Sequence, residues 1–314
     1  MASSWRIIFF GTPVFALPVL QNLFEGQDEV VGVVTQPDRE RGRGRKKSPS
    51  PVKELSLKYG ITPHQPEKVK ESPFLEAIKG LGPDLFVVVA FGQILPKPLL
   101  EIPKFGAVNI HASLLPGYRG AAPIAWAMLR GEKKTGITTM LMDEGMDTGD
   151  ILMQAEIPIE KEDTGETLQG KLSSLGGRLL METVERMKAT TLSPLSQDHS
   201  KATYAPPLKK EDGRIDWKRP SEEIDLKIRA FNPWPVAFTR WENGLLKIYR
   251  VEVRKGISSA EAGSVIWVGS DFIEVKTGDG SILIREVQPE GKRRMSVRDF
   301  LSGHRIPIGT VFSS

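Results

Sequence analysis

Apolar and polar positions fall into two regimes along the chain. In the first, "WRIIFF" (5–10), "EVVGVVTQ" (29–36) and "DLFVVVAFG" (84–92) are short apolar runs of the kind buried on both faces of a parallel sheet. Longer stretches with helical spacing separate or follow them. "GTPVFALPVLQNLFEGQ" reads as a loop and a helix with Pro13 near its first turn, and "SPVKELSLKYG" as a helix ending at Gly60. "AVNIHAS" (107–113) is the next strand and "APIAWAMLRGE" the next helix. "TGITTMLMD" and "GDILMQAEIPI" continue the β pattern. "TGETLQGKLSSLGGRLLMETVERMKA" is a long amphipathic helix with its start signal at Thr164 or Thr167. Strand–helix–strand spacing predicts an α/β domain with a parallel sheet over residues 1–190.

The second regime follows a stretch without apolar periodicity. Residues 191–208 are rich in Ser, Thr and Pro and read as a linker. Beyond it, "LKIYRVEVR", "GSVIWVGSD", "FIEVKTGDGSILIREVQ" and "GTVFSS" are short β runs divided by Gly turns. That spacing predicts a small β-barrel or a sandwich over 209–314.

Composition narrows the chemistry. The 314-residue chain is 39% hydrophobic and 26% charged, enough apolar material for two soluble domains. It has no cysteine, which removes disulfides and thiolate catalysis. Its four histidines show no metal spacing such as HExxH, so no metal is expected. No apolar run approaches the length of a membrane span, and the N-terminal start leads straight into a first strand, which makes cytoplasmic residence the expectation. Neither G-x-G-x-x-G nor G-x-x-x-x-G-K-[ST] is present, which argues against NAD and ATP. The net charge of +4 becomes informative only where it is clustered.

Four constellations carry candidate chemistry. Asn109 and His111, two apart on a strand, share one face. They read either as a hydrogen-bonded core pair or as an oxyanion donor beside a proton carrier. "MDEGMDTGDIL" holds Asp143, Glu144, Asp147 and Asp150 between glycines. It is either a solvated acidic turn or a loop aiming one carboxylate into a site, in which case Asp147, flanked by glycines, is the candidate. "SLLPGYRGAAP" brings Pro and Gly close together, which fixes a loop and lets backbone approach a ligand. "PDRERGRGRKKSPSPVK" concentrates Arg39, Arg41, Arg43, Arg45, Lys46 and Lys47 after the end of a parallel strand. A solvated face, a targeting tag and a mobile phosphate-binding loop are its three readings.

Taken in order, "VVAFGQILP", "NIHASLLPGYRGAAPI", "TGITTMLMDEGMDTGDIL", "TYAPPLKKEDGRIDW" and "IRAFNPWP" make the chain resemble the methionyl-tRNA formyltransferases, a branch of the folate-dependent formyltransferases. The Asn-x-His and the downstream Asp are shared across the folate-dependent enzymes. The basic insertion and the tail blocks narrow the resemblance to the tRNA branch. It implies a formyltransferase fold with a Rossmann-like parallel sheet, followed by an OB-like, tRNA-binding barrel, with Asn109, His111 and Asp147 catalytic. The donor it implies is 10-formyltetrahydrofolate, and the acceptor is methionyl initiator tRNA. It also implies a folate site at Val89, Phe91, Gln93, Ile94 and Leu95, closed by Ser113, Leu114, Leu115 and Pro116. Arg39 to Lys47 (Arg39, Arg41, Arg43, Arg45, Lys46 and Lys47) and Lys209 would meet RNA, Arg43 foremost. Lys210, Lys292, Arg293 and Arg294 would offer further charge. A monomer without an obligate protein partner is expected. Two other classes stay open: a formyltransferase or deformylase acting on a small amine, and a non-catalytic module that kept the fold.

Overall fold

The computed structural model describes residues 4–41, 46–242, 244–256 and 259–313. They form two compact units. The first comprises residues up to Pro123, Lys134–Pro158 and Gln169–Ala205; the second comprises Ile124–Lys133, Ile159–Leu168 and Pro206 onward.

Eight strands belong to the first unit: β1 (Arg6–Gly11), β2 (Glu29–Val34), β3 (Arg39–Arg41), β4 (Lys46–Ser48), β5 (Leu85–Val89), β6 (Ala107–His111), β7 (Lys134–Leu141) and β8 (Ile151–Pro158). Six of them make one sheet in the order β2-β1-β5-β6-β7-β8. The first four are parallel, as the continuous apolar runs predict. All five residues of β5 are buried, and Ile7 to Phe10 on β1 are fully buried, each contributing about 1.5–3 kcal/mol. The parallel expectation fails at the far end, where β7 runs antiparallel to both β6 and β8. The period-2 pattern of "TGITTMLMD" marks a strand but carries no direction. A loop from Met142 to Asp150 returns the chain at once as β8, and so short a connection permits only an antiparallel pair.

The helices of this part of the chain are α1 (Leu17–Glu25), α2 (Pro51–Lys58), α3 (Ser72–Gly80), α4 (Lys97–Leu100), α5 (Pro123–Leu129) and α6 (Gly165–Lys188). Ser50 caps α2 by accepting from the Lys53 backbone N–H at 3.0 Å. Thr164 and Thr167 both serve the start of α6: each hydroxyl accepts from the other's backbone N–H, at 3.3 and 2.9 Å. Gly176 lets α6 lie close behind β6, since a Cβ there would sit 3.0 Å from Ile110 Cγ2.

Two expectations need revision. Part of the basic run, expected to be mobile, is strand: β3 and β4 pair antiparallel with Arg39 opposite Ser48 and Arg41 opposite Lys46. Lys53 anchors the root of this hairpin, donating at 2.7 Å to both Asp38 and Gln65. Arg43 and Arg45 lie outside the described residues. The stretch read as a linker is, up to Ala205, laid along the first unit. Leu195 pairs with Ile151, the Arg119 N–H donates to the Thr203 carbonyl, and the Ala205 N–H donates to the Arg119 carbonyl. These are isolated bridges to the start of β8 and to a loop rather than bonds of a periodic element, so the sequence shows no periodicity.

In the second unit, α7 (Ser221–Ala230) packs on an antiparallel sheet of β9 (Ala237–Trp241), β10 (Gly244–Arg254), β11 (Val265–Val268), β12 (Ile273–Lys276) and β13 (Ser281–Pro289). The short β14 (Met295–Ser296) pairs with β13 and leads into α8 (Val297–Gly303). Trp217, Ile248, Ile282, Ile284, Phe300 and Phe312 fill its core. "GTVFSS" forms no strand of its own; Val311 and Ser313 make isolated bridges to Ser264 and Arg240.

Candidate active site

The doubly wound order changes direction between β1 and β5, and sheets of this kind take ligands outside the carboxyl ends of the strands at such a point. Gly11 ends β1 and Thr12 follows it, Val89 ends β5 and residues 90–92 follow it, and β6 is the next strand along. Asn109 and His111 stand near the carboxyl end of β6, opposite Met140 and Thr138 of β7.

The two residues differ in what they touch. The half-buried Asn109 side chain makes no hydrogen bond to any described residue. His111 is buried at 6% exposure and held on both edges. Its Nε2 lies 2.9 Å from the Tyr118 carbonyl oxygen, which can only accept, so Nε2 carries a proton. Its Nδ1 faces Asp147 Oδ1 at 3.6 Å. The core-pair reading of Asn109 and His111 therefore fails: the histidine is partnered, but not by the asparagine, whose amide stays available.

The four carboxylates of the acidic loop separate by their partners. Asp143 closes its own turn, accepting from the Gly145 N–H at 2.9 Å and from the Thr148 hydroxyl at 2.7 Å. Glu144 is exposed and lies 3.8 Å from Lys97 Nζ. Asp150 accepts from Ser196 Oγ at 2.8 Å. Asp147 alone faces the histidine. Leu141 pairs with Val108, three residues before His111, so the loop runs back along β6 to bring Asp147 there. Asp147 takes a left-handed backbone, φ +55°, to do so. The Gly120 N–H donates to its Oδ2 at 2.7 Å. Gly120 itself has φ +117°, and a Cβ there would meet the Ala205 carbonyl oxygen at 2.8 Å.

Hydrogen bonds fix the Pro/Gly loop. Ser113 Oγ donates to the Gly117 carbonyl at 2.6 Å, the Leu115 N–H donates to Thr138 Oγ1 at 3.1 Å, and Gln154 Nε2 donates to the Leu115 carbonyl at 2.9 Å. Ser113 and Leu115 are buried, while Leu114 and Pro116 are half-buried. Of the apolar wall expected around Val89 to Leu95, the side chains of Val89, Phe91 and Leu95 are packed inside, and only Ile94, 86% exposed, stands open. The Gln93 side chain is occupied, accepting from the Val69 N–H at 3.1 Å and donating to the Pro66 carbonyl at 3.3 Å. Backbone groups and Ile94 are what this segment offers a ligand.

Arg39 and Lys47 are exposed, and Arg39 Nη2 donates to Gln36 Oε1 at 3.3 Å. Lys209 is exposed in the second unit. Arg294 is drawn to Glu286 at 2.5 Å and stacks over Tyr249, which leaves it less free than the sequence suggests. Sequence reasoning missed Arg119 and Gln197. Both are buried, and both touch the loops that carry His111's partners. The signals available were an Arg inside the Pro/Gly loop and a polar Gln in a segment read as a linker. Among the described residues no group of three or more His, Asp or Glu could hold a metal ion, and no helix is long and apolar enough to cross a membrane.

A free amide donor, a held imidazole and a positioned carboxylate beside the switch point are groups that acyl chemistry without a covalent intermediate can use. Residues 5–184 match the family described as "Formyl transferase" and residues 207–305 match "Formyl transferase, C-terminal domain". The chain belongs to the formyl transferase family. It is 50% identical over 307 residues to a methionyl-tRNA formyltransferase of Caldanaerobacter subterraneus subsp. tengcongensis, covering 98% of this chain and 99% of the relative. It is 50% identical over 305 residues to one of Geobacter sulfurreducens, covering 97% and 96%. Among solved structures it is similar in fold, with TM-score 0.66 and 20% identity, to the sugar 3N-formyl transferase WlaRD; the match covers 93% of this chain and 100% of that one.

Proposed function

We propose that this chain transfers the formyl group of 10-formyltetrahydrofolate to the α-amino group of methionine esterified to initiator tRNA. The observation that carries the reading is the pairing of a free Asn109 amide with the held His111–Asp147 couple on the strand beside the switch point. Full-length likeness to relatives named methionyl-tRNA formyltransferase supports the choice of acceptor.

In this reading the neutral amine attacks the formyl carbon. An α-amine titrates near 8 in simple peptides, so a usable neutral fraction exists at pH 7. The new C–N bond leaves an oxyanion, to which the Asn109 amide donates. The folate nitrogen then leaves as its bond to the formyl carbon breaks. The proton that the attacking nitrogen sheds must reach the departing one. His111 and Asp147 serve that transfer, since Nε2 is committed to the Tyr118 carbonyl and Nδ1 is the ring nitrogen turned to the carboxylate. The backbone of residues 90–94 and the open Ile94 face would meet the flat pterin, and the Ser113–Pro116 loop would close on it.

The basic hairpin, with Arg39, Arg41, Lys46, Lys47 and the intervening Arg43 and Arg45, would hold the RNA through its phosphates, as would Lys209. Residues 1–190 would then be the catalytic domain and 209–314 a tRNA-binding domain, acting as a monomer in the cytoplasm. The test is product identity. Incubation with 10-formyltetrahydrofolate and methionyl initiator tRNA, followed by ester hydrolysis, yields N-formylmethionine. Its absence with either substrate present alone establishes dependence on both, and its absence from the complete mixture contradicts the proposal.

A further inference from the structure

Arg119 is a buried cation, 2% exposed, with no carboxylate within ion-pair distance among the described residues. Its acceptors are neutral. Nε and Nη2 donate to Gln197 Oε1 at 3.1 and 2.6 Å, and Nη2 donates to His199 Nδ1 at 3.2 Å. These bonds fix which end of the Gln197 amide faces Arg119. The other end, Nε2, then donates to two carbonyl oxygens of the acidic loop, Asp147 at 2.9 Å and Gly149 at 2.7 Å. Asp147 is thus held from two sides. The Gly120 N–H, next in sequence to Arg119, grips its carboxylate, and Gln197 grips its backbone. A left-handed residue in an exposed loop keeps that conformation only where neighbours enforce it. The segment from Leu195 to Ala205 supplies those neighbours. It bridges Ile151, Asp150, Arg119 and Pro116, on both loops that meet His111.

We infer that Gln197 is a positioning residue for the transfer reaction: oriented by Arg119, it sets the Asp147 backbone so that the carboxylate faces His111. The inference rests on the function proposed above. It makes the segment between the two sequence-defined domains a brace of the active site.

Two substitutions separate positioning from folding. Gln197→Glu keeps an acceptor for Arg119 and makes it an ion pair, while replacing the donor to the two carbonyls by a repelling oxygen. Gln197→Ala removes both contacts and is the less stable of the two. Wild-type transfer is measured first. Its failure contradicts the proposed function, while hydrogen exchange still judges the role of Gln197. Gln197→Glu is expected to unfold within a few degrees of wild type, to hold KM for both substrates within about 3-fold, and to lose roughly 10–100-fold in kcat, the scale of a sub-ångström to ångström misplacement. Hydrogen exchange is expected to rise about tenfold at the Gly120 amide and across 143–150, and not in the rest of the sheet. On an Asp147→Asn background the same change is expected to cost less than about 3-fold, because residues acting through one group are not additive. Wild-type kcat in Gln197→Glu, a full additional loss on the Asp147→Asn background, or unchanged exchange at Gly120 would each overturn the assignment.

Discussion

Replacing Asn109 by Ala separates catalysis from stability. The side chain makes no hydrogen bond to any described residue, so truncation orphans no buried partner, and the fold should lose no more than about 1 kcal/mol. In the transition state the same amide is expected to meet the developing oxyanion, and losing one such donor costs roughly 10²–10³ in kcat, or about 2.7–4 kcal/mol. The two effects therefore diverge by at least about 1.5 kcal/mol, well outside the error of either measurement. Formyl transfer to methionyl initiator tRNA at saturating donor gives kcat, and a thermal melt gives stability. Asn109→Asp, of the same shape but with an acceptor where the donor was, is expected to lose at least as much. A kcat within about 3-fold of wild type in Asn109→Ala would refute the oxyanion role.

Other consequences follow from particular contacts. Gly120→Ala forces a Cβ to 2.8 Å from the Ala205 carbonyl at φ +117°; the strain is expected to cost about 1–3 kcal/mol and to lower kcat together with Tm, and an unaltered melt would contradict the geometry. Replacing Arg39 and Lys47 by Gln is expected to raise KM for the tRNA, flatten its salt dependence by nearly one unit of log–log slope per lost phosphate contact, and leave the folate KM unchanged. Equal losses for both substrates would remove the hairpin from RNA binding. Burial holds the His64 imidazole below its ordinary value, so it is neutral in the fold while the unfolded chain takes up a proton. Stability should then fall as pH drops through the ordinary imidazole value, and His64→Gln should flatten that slope in urea unfolding at pH 5 to 8. The lowered Asp38 carboxyl, hydrogen-bonded by Lys53 and Gln65, works in the same direction at lower pH. Its stabilisation of the hairpin root is present above the ordinary carboxylate value and is lost as pH falls through the depressed one, which proteolysis within 39–48 at graded pH would report.

The sheet was legible because burial on both faces writes itself as uninterrupted Val, Ile and Phe, as in "LFVVV". The direction of β7 was not, since alternation looks the same in either sense. Residue types and glycine flanks single out Asn109, His111 and Asp147 only as candidates, and it is the family resemblance that joins them into one set. Which of four neighbouring carboxylates faces His111 depends on hydrogen bonds made by Thr148, Ser196 and Gly120, which no local pattern records. The resemblance implies a folate site at Val89 to Leu95, but the side chains of Val89, Phe91 and Leu95 turn inward, because a strand end in the middle of a sheet still serves the core. The brace at 195–205 was invisible for a related reason. Its backbone bonds reach a distant strand end and a distant loop, so its order is tertiary and leaves no period in the sequence.

The central claim is that this site formylates the amine of methionine only when initiator tRNA presents it. The most direct measurement compares methionyl initiator tRNA, methionyl elongator tRNA and free methionine as acceptors for 10-formyltetrahydrofolate at one fixed salt concentration. Rapid transfer to the initiator species and little to the other two is expected. Equal transfer to all three, or transfer to none while folate still binds, would contradict it.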